Sequence, residues 1–172
     1  MTDVSAWEPI PGDDYERYWK PFDDRYSFTP KFKPGNRPGF AEPEESVTFS
    51  LAPIFQSGIE SKFAAGVAAL NAEVLLAFVQ AFSPRERLVV LDWQHQSYWF
   101  RPHLHASGGG TWLVSPFPDG DYYIFLTEDM TAGTFGHPWE ESLCVFGATL
   151  VDALASTLSS WLPVLRRGGE PD

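Results

Sequence analysis

The 172-residue chain is poor in cysteine, methionine and basic residues. Its single cysteine, Cys144, cannot form a disulfide within the chain, and its place in the apolar run LCVF predicts a small buried hydrophobe rather than a nucleophilic thiol. Lysine and arginine total 12 against 23 acidic residues, which gives a net charge of −11. This charge disfavours nucleic acid as a direct ligand and would attract basic proteins, cationic metabolites or metal ions, although a need for solubility also explains it.

Several common signatures are missing as well. No basic segment followed by an apolar run opens the sequence, and no stretch reaches 18 consecutive apolar residues, so we predict no signal peptide, no membrane span and a cytoplasmic location. The sequence has no GxSxG motif and no complete calcium loop. SGGG at residues 107–110 lacks the Lys and Ser/Thr that complete a phosphate-binding loop. None of the reactions that these motifs support is indicated.

Aromatic residues are abundant: they make up 16% of the chain and include seven tryptophans and 14 phenylalanines. Large rings can fill a core, line a pocket or form a surface for a partner. The chain is long enough for one domain with a sizeable core. We predict a single domain over residues 13–165, preceded by an N-terminal arm at 1–12 and followed by a polar C-terminal tail at 166–172.

Hydrophobic spacing predicts the elements of the first half of the chain. A capping pattern at Asp13 and Glu16 opens a short aromatic helix, and the Pro- and Gly-rich stretch 31–45 is predicted to be an irregular connection. Clean alternation in SVTFSL predicts a half-buried strand. Apolar residues at steps of three and four then predict a long helix from Ile59 to Ala81.

The second half is predicted to be mostly strands. RLVVLDW, SYWF, TWLVSPF and DYYIFLTED each suggest a strand, with a hairpin turn at Asp119-Gly120. GTFGHP is short and turn-rich, ESLCVFG fits a strand or the start of a helix, and an amphipathic helix covers residues 150–165, interrupted near Pro163. Grouped strands with few crossovers predict an α+β fold, a mostly antiparallel sheet with helices packed mainly on one face.

Three of the four histidines lie in DWQHQSYWFRPHLH, residues 92–105. His103 and His105 would share a face if this segment were a strand, and Asp92 or Asp119 could add a third metal ligand. The sequence has no HExxH motif or paired CxxC motif. We therefore prefer ordinary surface or hydrogen-bonded histidines, and we assign no metal and no cofactor.

Two acidic segments offer alternative chemistry. Asp119 and Asp121 could hold a cation or divide acid and base roles, but a plain turn accounts for the same residues. In GHPWEE, Glu140 could act as a general base beside His137, with Trp139 excluding water. A turn followed by acidic residues at the start of a helix is the alternative. We favour the turn in both segments.

The segments LDWQHQSYWFRPH, FPDGDYYIFLTEDM and GTFGHPWEESLCVFG, with AEPEESVTFSL upstream, resemble a bacterial family known only as domain of unknown function 2716. The resemblance runs from about Tyr15 to Leu162 and implies neither a reaction nor catalytic residues. The family pattern usually has W-G or a similar pair before FGHP, where this chain has Ala132-Gly133. The positions it marks are Asp92, Trp93, His95, Tyr98, Pro102, His103, Asp119, Gly120, Asp121, Tyr122, Gly133, Gly136, His137, Pro138, Trp139, Glu140 and Gly147.

If these segments occupy neighbouring strands, their polar residues could converge on one aromatic-walled cleft, with Asp92, His95, Asp121, His137 and Glu140 at its rim. The full candidate set is Asp92, Trp93, His95, Tyr98, His103, Asp119, Asp121, Tyr122, His137, Trp139 and Glu140.

Two functional hypotheses follow. The first is a non-catalytic binding protein, an immunity-type neutraliser of a basic protein partner, captured by charge steering and aromatic anchors. The second is an enzyme or small-molecule binder that uses the histidines and carboxylates, with or without a divalent metal. A role as a subunit or scaffold stays open. Nucleic acid and membrane are not expected partners, and the oligomeric state is not predicted.

Overall fold

The computed structural model describes residues 5–30 and 38–172. All nine strands of this part of the chain join one sheet, in which every neighbouring pair is antiparallel. The order across the sheet is β1-β4-β3-β5-β6-β7-β2-β8-β9, so the first and last strands form the two edges. The strands are β1 Trp7–Pro9, β2 Ser46–Ser50, β3 Leu88–Asp92, β4 Tyr98–Phe100, β5 Tyr123–Thr127, β6 Gly133–His137, β7 Ser142–Phe146, β8 Val164–Arg167 and β9 Glu170–Pro171.

Helices cover both faces of the sheet. On one face, Leu70, Val74 and Phe78 of one long helix and Leu154 of another pack against β2, β3, β5 and β7. On the opposite face, Phe22 and other aromatic residues of the N-terminal helical segment cover the second core. The predicted α+β fold is confirmed. Most of the helices pack on one face of the sheet, as predicted, and the N-terminal helical segment covers the other face. The helical elements are a π-helical turn at Tyr15–Trp19 followed by α1 Lys20–Tyr26, α2 Ala52–Phe55, α3 Glu60–Ala81, α4 Pro102–Gly108 and α5 Ala148–Ser159.

Because both faces are covered, strands in the middle of the sheet are buried on both sides. In β2, Val47 and Phe49 enter the core under α3 and α5, while Ser46 and Thr48 are buried on the other face. The strand predicted there is present, but it is fully rather than half buried. Cys144 is buried in β7, as the apolar run LCVF predicted.

Three local predictions in the second half were wrong. Residues 111–117 form no strand, because Pro116 and Pro118 break the segment and the Phe117 amide donates to the side chain of Asn71 instead of to a neighbouring strand. No hairpin therefore forms at Asp119-Gly120, and β5 pairs with β3 and β6. The turn-rich GTFGHP is a central strand, β6.

The segment after β4 also differs from the prediction, because Pro102 begins the helix α4. His103 and His105 thus lie on a helix, where residues two apart point in different directions. His103 Nε2 lies 2.9 Å from the Phe82 carbonyl oxygen, whereas His105 is buried beside Trp112.

Both ends of the described chain take part in the sheet. Trp7–Pro9, from the predicted arm, pairs with β4, and Trp7 is buried. In the predicted tail, β8 pairs with β2 and brings Arg166 into the interior. The last amphipathic helix accordingly ends at Ser159, before Pro163. The predicted irregular connection falls partly at 31–37, outside the described residues.

One helix, α3, is long and apolar enough to cross a membrane by length and composition alone. In this fold it packs as a core helix, with Leu70, Val74 and Phe78 against the sheet. The cytoplasmic location stays a prediction.

Candidate functional site

The end of β3 and the start of β5 bring two carboxylates to one side of a histidine. Asp92 closes β3 and pairs in register with Tyr123, so Asp121, two residues before Tyr123, lies at the same end of the sheet. A turn with Gln94 at a φ of 66° returns the chain, and His95 N–H donates to the Asp92 carbonyl oxygen. His95 Nδ1 then lies 3.0 Å from Asp92 Oδ1 and 3.8 Å from Asp121 Oδ2.

This cluster, Asp92–His95–Asp121, is negative and partly desolvated. The two carboxylates are only 16% and 14% exposed, while the His95 side chain is 63% exposed. Burial raises the pKa of Asp92, although the hydrogen bond from His95 opposes the shift. Burial likewise raises the pKa of Asp121. The hydrogen bond to Asp92 raises the pKa of His95, so the imidazolium is favoured between these carboxylates.

Asp119 stands beside this cluster and is exposed. It hydrogen-bonds the hydroxyl of Tyr123, and burial followed by the nearby Asp119 charge raises the pKa of that phenol. A neutral phenol is therefore maintained next to the carboxylates.

Aromatic rings continue from the cluster across the end of the sheet. The Tyr122 ring is buried, and its centroid lies 5.7 Å from that of Trp93, 4.8 Å from that of His137 and 5.1 Å from that of Trp139. These four candidate residues thus form one wall, as the proposed convergence of the three segments required.

An open groove of about 490 Å³ adjoins this wall, between the N-terminal helical segment and residues 93–95. Tyr15, Trp19 and Phe28 supply rings on its opposite side, and Asp14 and Asp23 supply carboxylates. We call this feature the acidic groove. The residues described along its walls are Asp14, Tyr15, Trp19, Asp23, Phe28, Pro30, Trp93, Gln94 and His95, among which there is no lysine or arginine.

The basic residues of the same helical segment have partners elsewhere. Lys20 Nζ pairs with Asp24 at 2.7 Å, the Arg17 guanidinium lies 5.2 Å from the centre of the Trp99 ring, and Arg25 donates to the Asp129 carbonyl oxygen. The carboxylates of the groove are therefore not neutralised by these three side chains.

Glu140 belongs to a different structure, a buried ion triad. The guanidinium of Arg166 binds Glu140 at 2.6 Å and Glu42 at 2.7 Å, and all three side chains are at most 7% exposed. Ser142 Oγ also donates to Glu140. Burial favours the neutral acid, but the hydrogen bonds from Arg166 and Ser142 outweigh it and lower the pKa of Glu140.

This triad changes the interpretation of the His137–Glu140 pair. His137 Nδ1 accepts the backbone N–H of Glu140, 3.2 Å away, while the carboxylate points to Arg166. A carboxylate held ionised by an arginine is a weak base, and this argues against Glu140 as the general base of the sequence hypothesis.

Two candidates lie apart from the cluster. Tyr98 is on β4 and packs edge-on to Trp7, on the face covered by α3. His103 sits on α4 against the Phe82 carbonyl oxygen. Of the eleven candidates, the structure gathers eight around the cluster and its wall and places Glu140, Tyr98 and His103 in other surroundings.

Sequence reasoning missed the partners that lie far away along the chain. Asp14, Tyr15 and Trp19 were assigned only to a helix, and Glu42 and Arg166 only to a loop and a tail. The available signals were the acidic pair Asp13-Asp14 just before Tyr15 and the two arginines that open the C-terminal tail.

Residues 9–151 match the model of a family described as "Protein of unknown function (DUF2716)". The chain belongs to this family. It is also 34% identical over 128 residues to the uncharacterised protein YxiI of Bacillus subtilis (strain 168), an alignment that covers 72% of this chain and 79% of that protein. No solved structure matches it. The matched range includes the Asp92–His95–Asp121 cluster and all the residues described along the acidic groove, but not Arg166.

Proposed function

We propose that this protein is a non-catalytic binding protein that captures a basic segment of a partner protein in the acidic groove. The observation that carries the proposal is the pairing of carboxylates with aromatic rings on a wall that presents no lysine or arginine among its described residues. Lysine and arginine side chains bind such surfaces through charge and through the faces of aromatic rings, which contribute about 0.5–2 kcal/mol per contact.

The groove fits this role in its details. Tyr15 is 57% exposed, so its ring is available to an incoming side chain. Asp14 and Asp23 have no side-chain hydrogen bond or ion pair with the rest of the described chain. The π-helical turn that carries Tyr15 and Trp19 is a local distortion of a kind often found at functional sites.

The net charge of −11 favours the same kind of partner at long range. Charge complementarity speeds the encounter with a basic protein, while buried aromatic contacts slow its release. This combination suits the neutralisation of a basic protein, the task that immunity proteins perform.

The test compares two double variants with the same change in charge. Asp14→Asn/Asp23→Asn removes two charges from the groove, and Asp152→Asn/Glu170→Gln removes two exposed charges elsewhere. Titration with a hexa-arginine peptide should show at least about tenfold weaker binding for the groove variant and nearly unchanged binding for the control. Equal weakening in both would mean that only the net charge matters, and the groove would lose its role.

The wild type and the two double variants can also serve as bait for capture from source cells at low and high salt. A stoichiometric basic partner that the wild type and the control retain, and the groove variant loses, supports the proposal. A partner that binds all variants equally contradicts it.

The alternative function, catalysis by a histidine and a carboxylate, is favoured by one observation only. His95 is held between two carboxylates at a solvent-exposed position. Alanine at His95 should abolish turnover if the protein is an enzyme, whereas a binding protein should retain partner capture in the same variant.

A further inference from the structure

We propose that Asp92, His95 and Asp121 form a binding site for a divalent transition-metal ion such as Zn²⁺ or Mn²⁺. One ligand atom from each residue, an oxygen from each carboxylate and a ring nitrogen, lies within 4.8 Å of the other two. This site adjoins the acidic groove and shares His95 with it, but the metal ligands Asp92 and Asp121 are not among the residues along the groove walls, so the two proposals can be tested apart.

The distances are close to those of a filled site. Ligands about 2.1 Å from a metal at tetrahedral or octahedral angles are about 3.0–3.4 Å from each other. His95 Nδ1 lies 3.0 Å from Asp92 Oδ1 and 3.8 Å from Asp121 Oδ2. Because the three atoms lie within 4.8 Å of one another, no pair would need to approach by more than about 1.4 Å to reach the separation of ligands around an ion.

The charge of the cluster also calls for a cation. The protein contains a second pair of desolvated carboxylates, Glu42 and Glu140, and there Arg166 bridges both. Asp92 and Asp121 have no arginine or lysine partner among the described residues, and His95 supplies at most one positive charge. The trio thus keeps a net negative charge in a partly buried position, which a divalent ion would neutralise.

The ligand types indicate which ions would bind. Imidazole suits Zn²⁺ and related transition metals and carboxylates suit Mn²⁺, whereas Ca²⁺ and Mg²⁺ are bound mainly by oxygen ligands. Three protein ligands leave at least one position for water or for a group of another molecule. Because the His95 side chain is 63% exposed, an ion can reach the site from solvent without movement of the core.

The architecture holds the ligands in place from two strands. Asp92 is the last residue of β3, and Asp121 accepts the backbone N–H of Tyr122 at 2.8 Å just before β5. The left-handed backbone conformation at Gln94 turns His95 back over Asp92. Non-glycine residues rarely adopt this conformation, because it is strained. Anchoring on paired strands gives the pre-arrangement that a metal site needs.

The experiment uses full-length, tag-free protein freed of metal with EDTA and then dialysed against Zn²⁺ or Mn²⁺. We expect one ion per chain by elemental analysis, and a rise in Tm that grows with metal concentration. Co²⁺ should give absorption bands that report a nitrogen ligand. His95→Gln, Asp92→Asn and Asp121→Asn should each weaken binding by about tenfold or more.

Matched controls are His103→Gln, which changes a histidine outside the cluster, and Asp152→Asn, which changes an exposed aspartate. Both should bind like the wild type. Failure of the wild type to bind an ion overturns the proposal. Binding of the ion by His95→Gln and Asp121→Asn with the affinity of the wild type also overturns it. Peptide binding to the acidic groove, measured in EDTA, reports on the proposed function independently.

Discussion

Arg166 and Glu42 are 124 positions apart in the chain, yet the guanidinium Nη2 of one lies 2.7 Å from the carboxylate of the other. Both side chains are buried, and Glu140 completes the triad from the turn between β6 and β7. This contact fastens residue 42, before β2, to β8 near the C-terminal edge.

Removal of Arg166 should be strongly destabilising. Arg166→Met leaves Glu42 and Glu140 buried without their cation, and loss of one partner from such a group costs about 3–5 kcal/mol in the free energy of unfolding. Urea denaturation measures this loss. Arg167→Met is the control: its pair with Asp172 is exposed, so the change should stay below about 1 kcal/mol. Similar losses in the free energy of unfolding of both variants would contradict the predicted contribution of the buried triad to stability.

Stability should fall in acid partly because of Glu140. Although burial acts in the other direction, Arg166 and Ser142 lower the pKa of Glu140 in the folded protein below its usual value of about 4.5. The carboxylate therefore contributes stability above about pH 4.5, and this contribution disappears as the pH falls towards the lowered pKa. Glu140→Gln should lose stability at neutral pH and show a flatter decline below pH 4.5. Chemical denaturation at several pH values measures this. A free energy of unfolding that falls as steeply below pH 4.5 in Glu140→Gln as in the wild type would rule the prediction out.

His105 should produce a second pH effect at a higher pH. Burial lowers the pKa of His105 below its usual 6.5, because the neutral ring is packed against Phe100 and Trp112. The unfolded chain takes up the proton more readily, so stability contributed by neutral His105 is complete above pH 6.5 and declines below it. His105→Phe should remove this decline, while His103→Gln should keep it. Thermal unfolding between pH 7.5 and 5 provides the measurement.

Gly147 should tolerate no side chain. Its φ is +90°, and an added Cβ would collide with Ala132 Cβ and crowd the Ala132 backbone. Gly147→Ala should therefore lose about 1–3 kcal/mol of stability. Gly108, where an added Cβ meets no atom within 4 Å, is the matched control, and Gly108→Ala should be neutral or slightly stabilising. Equal melting temperatures for the two variants would be the contrary result.

The aromatic contribution to the acidic groove can be measured separately from its charge. Tyr15→Ala should weaken binding of a hexa-arginine peptide about two- to fivefold, since a cation–π contact at an exposed site is worth about 0.5–1 kcal/mol. Trp161→Ala removes another exposed ring, 37% accessible, outside the groove. If the tryptophan variant lost as much affinity as the tyrosine variant, the ring at position 15 would have no specific role.

Local sequence patterns predicted the elements whose own residues determine them. The long helix α3 and the strand β3 have strong periodicity and strong apolar character, and both lie where expected. The pattern failed at β6, where Gly133 and Gly136 are typical of turns. Both glycines are required by close packing across the sheet: a Cβ at Gly133 would strike the Phe125 carbonyl oxygen, and one at Gly136 would lie 3.0 Å from Pro118.

The candidate site was predicted only in part, because local patterns reveal contacts between residues that are close in the chain but not contacts between distant segments. Asp92 and His95 are three residues apart, so their proximity could be anticipated, and Asp121 follows from the strand pairing. The Arg166–Glu42 pair joins segments from opposite ends of the chain, and no local pattern contains that information.

The two edge strands, β1 and β9, each carry a proline, at Pro9 and Pro171. Proline has no amide hydrogen to offer a further strand, and both strands are short, so the sheet is blunt at either end. An incoming chain therefore finds little backbone to pair with. We therefore expect the proposed partner to be selected by the chemistry of its side chains and not by its capacity to form a strand.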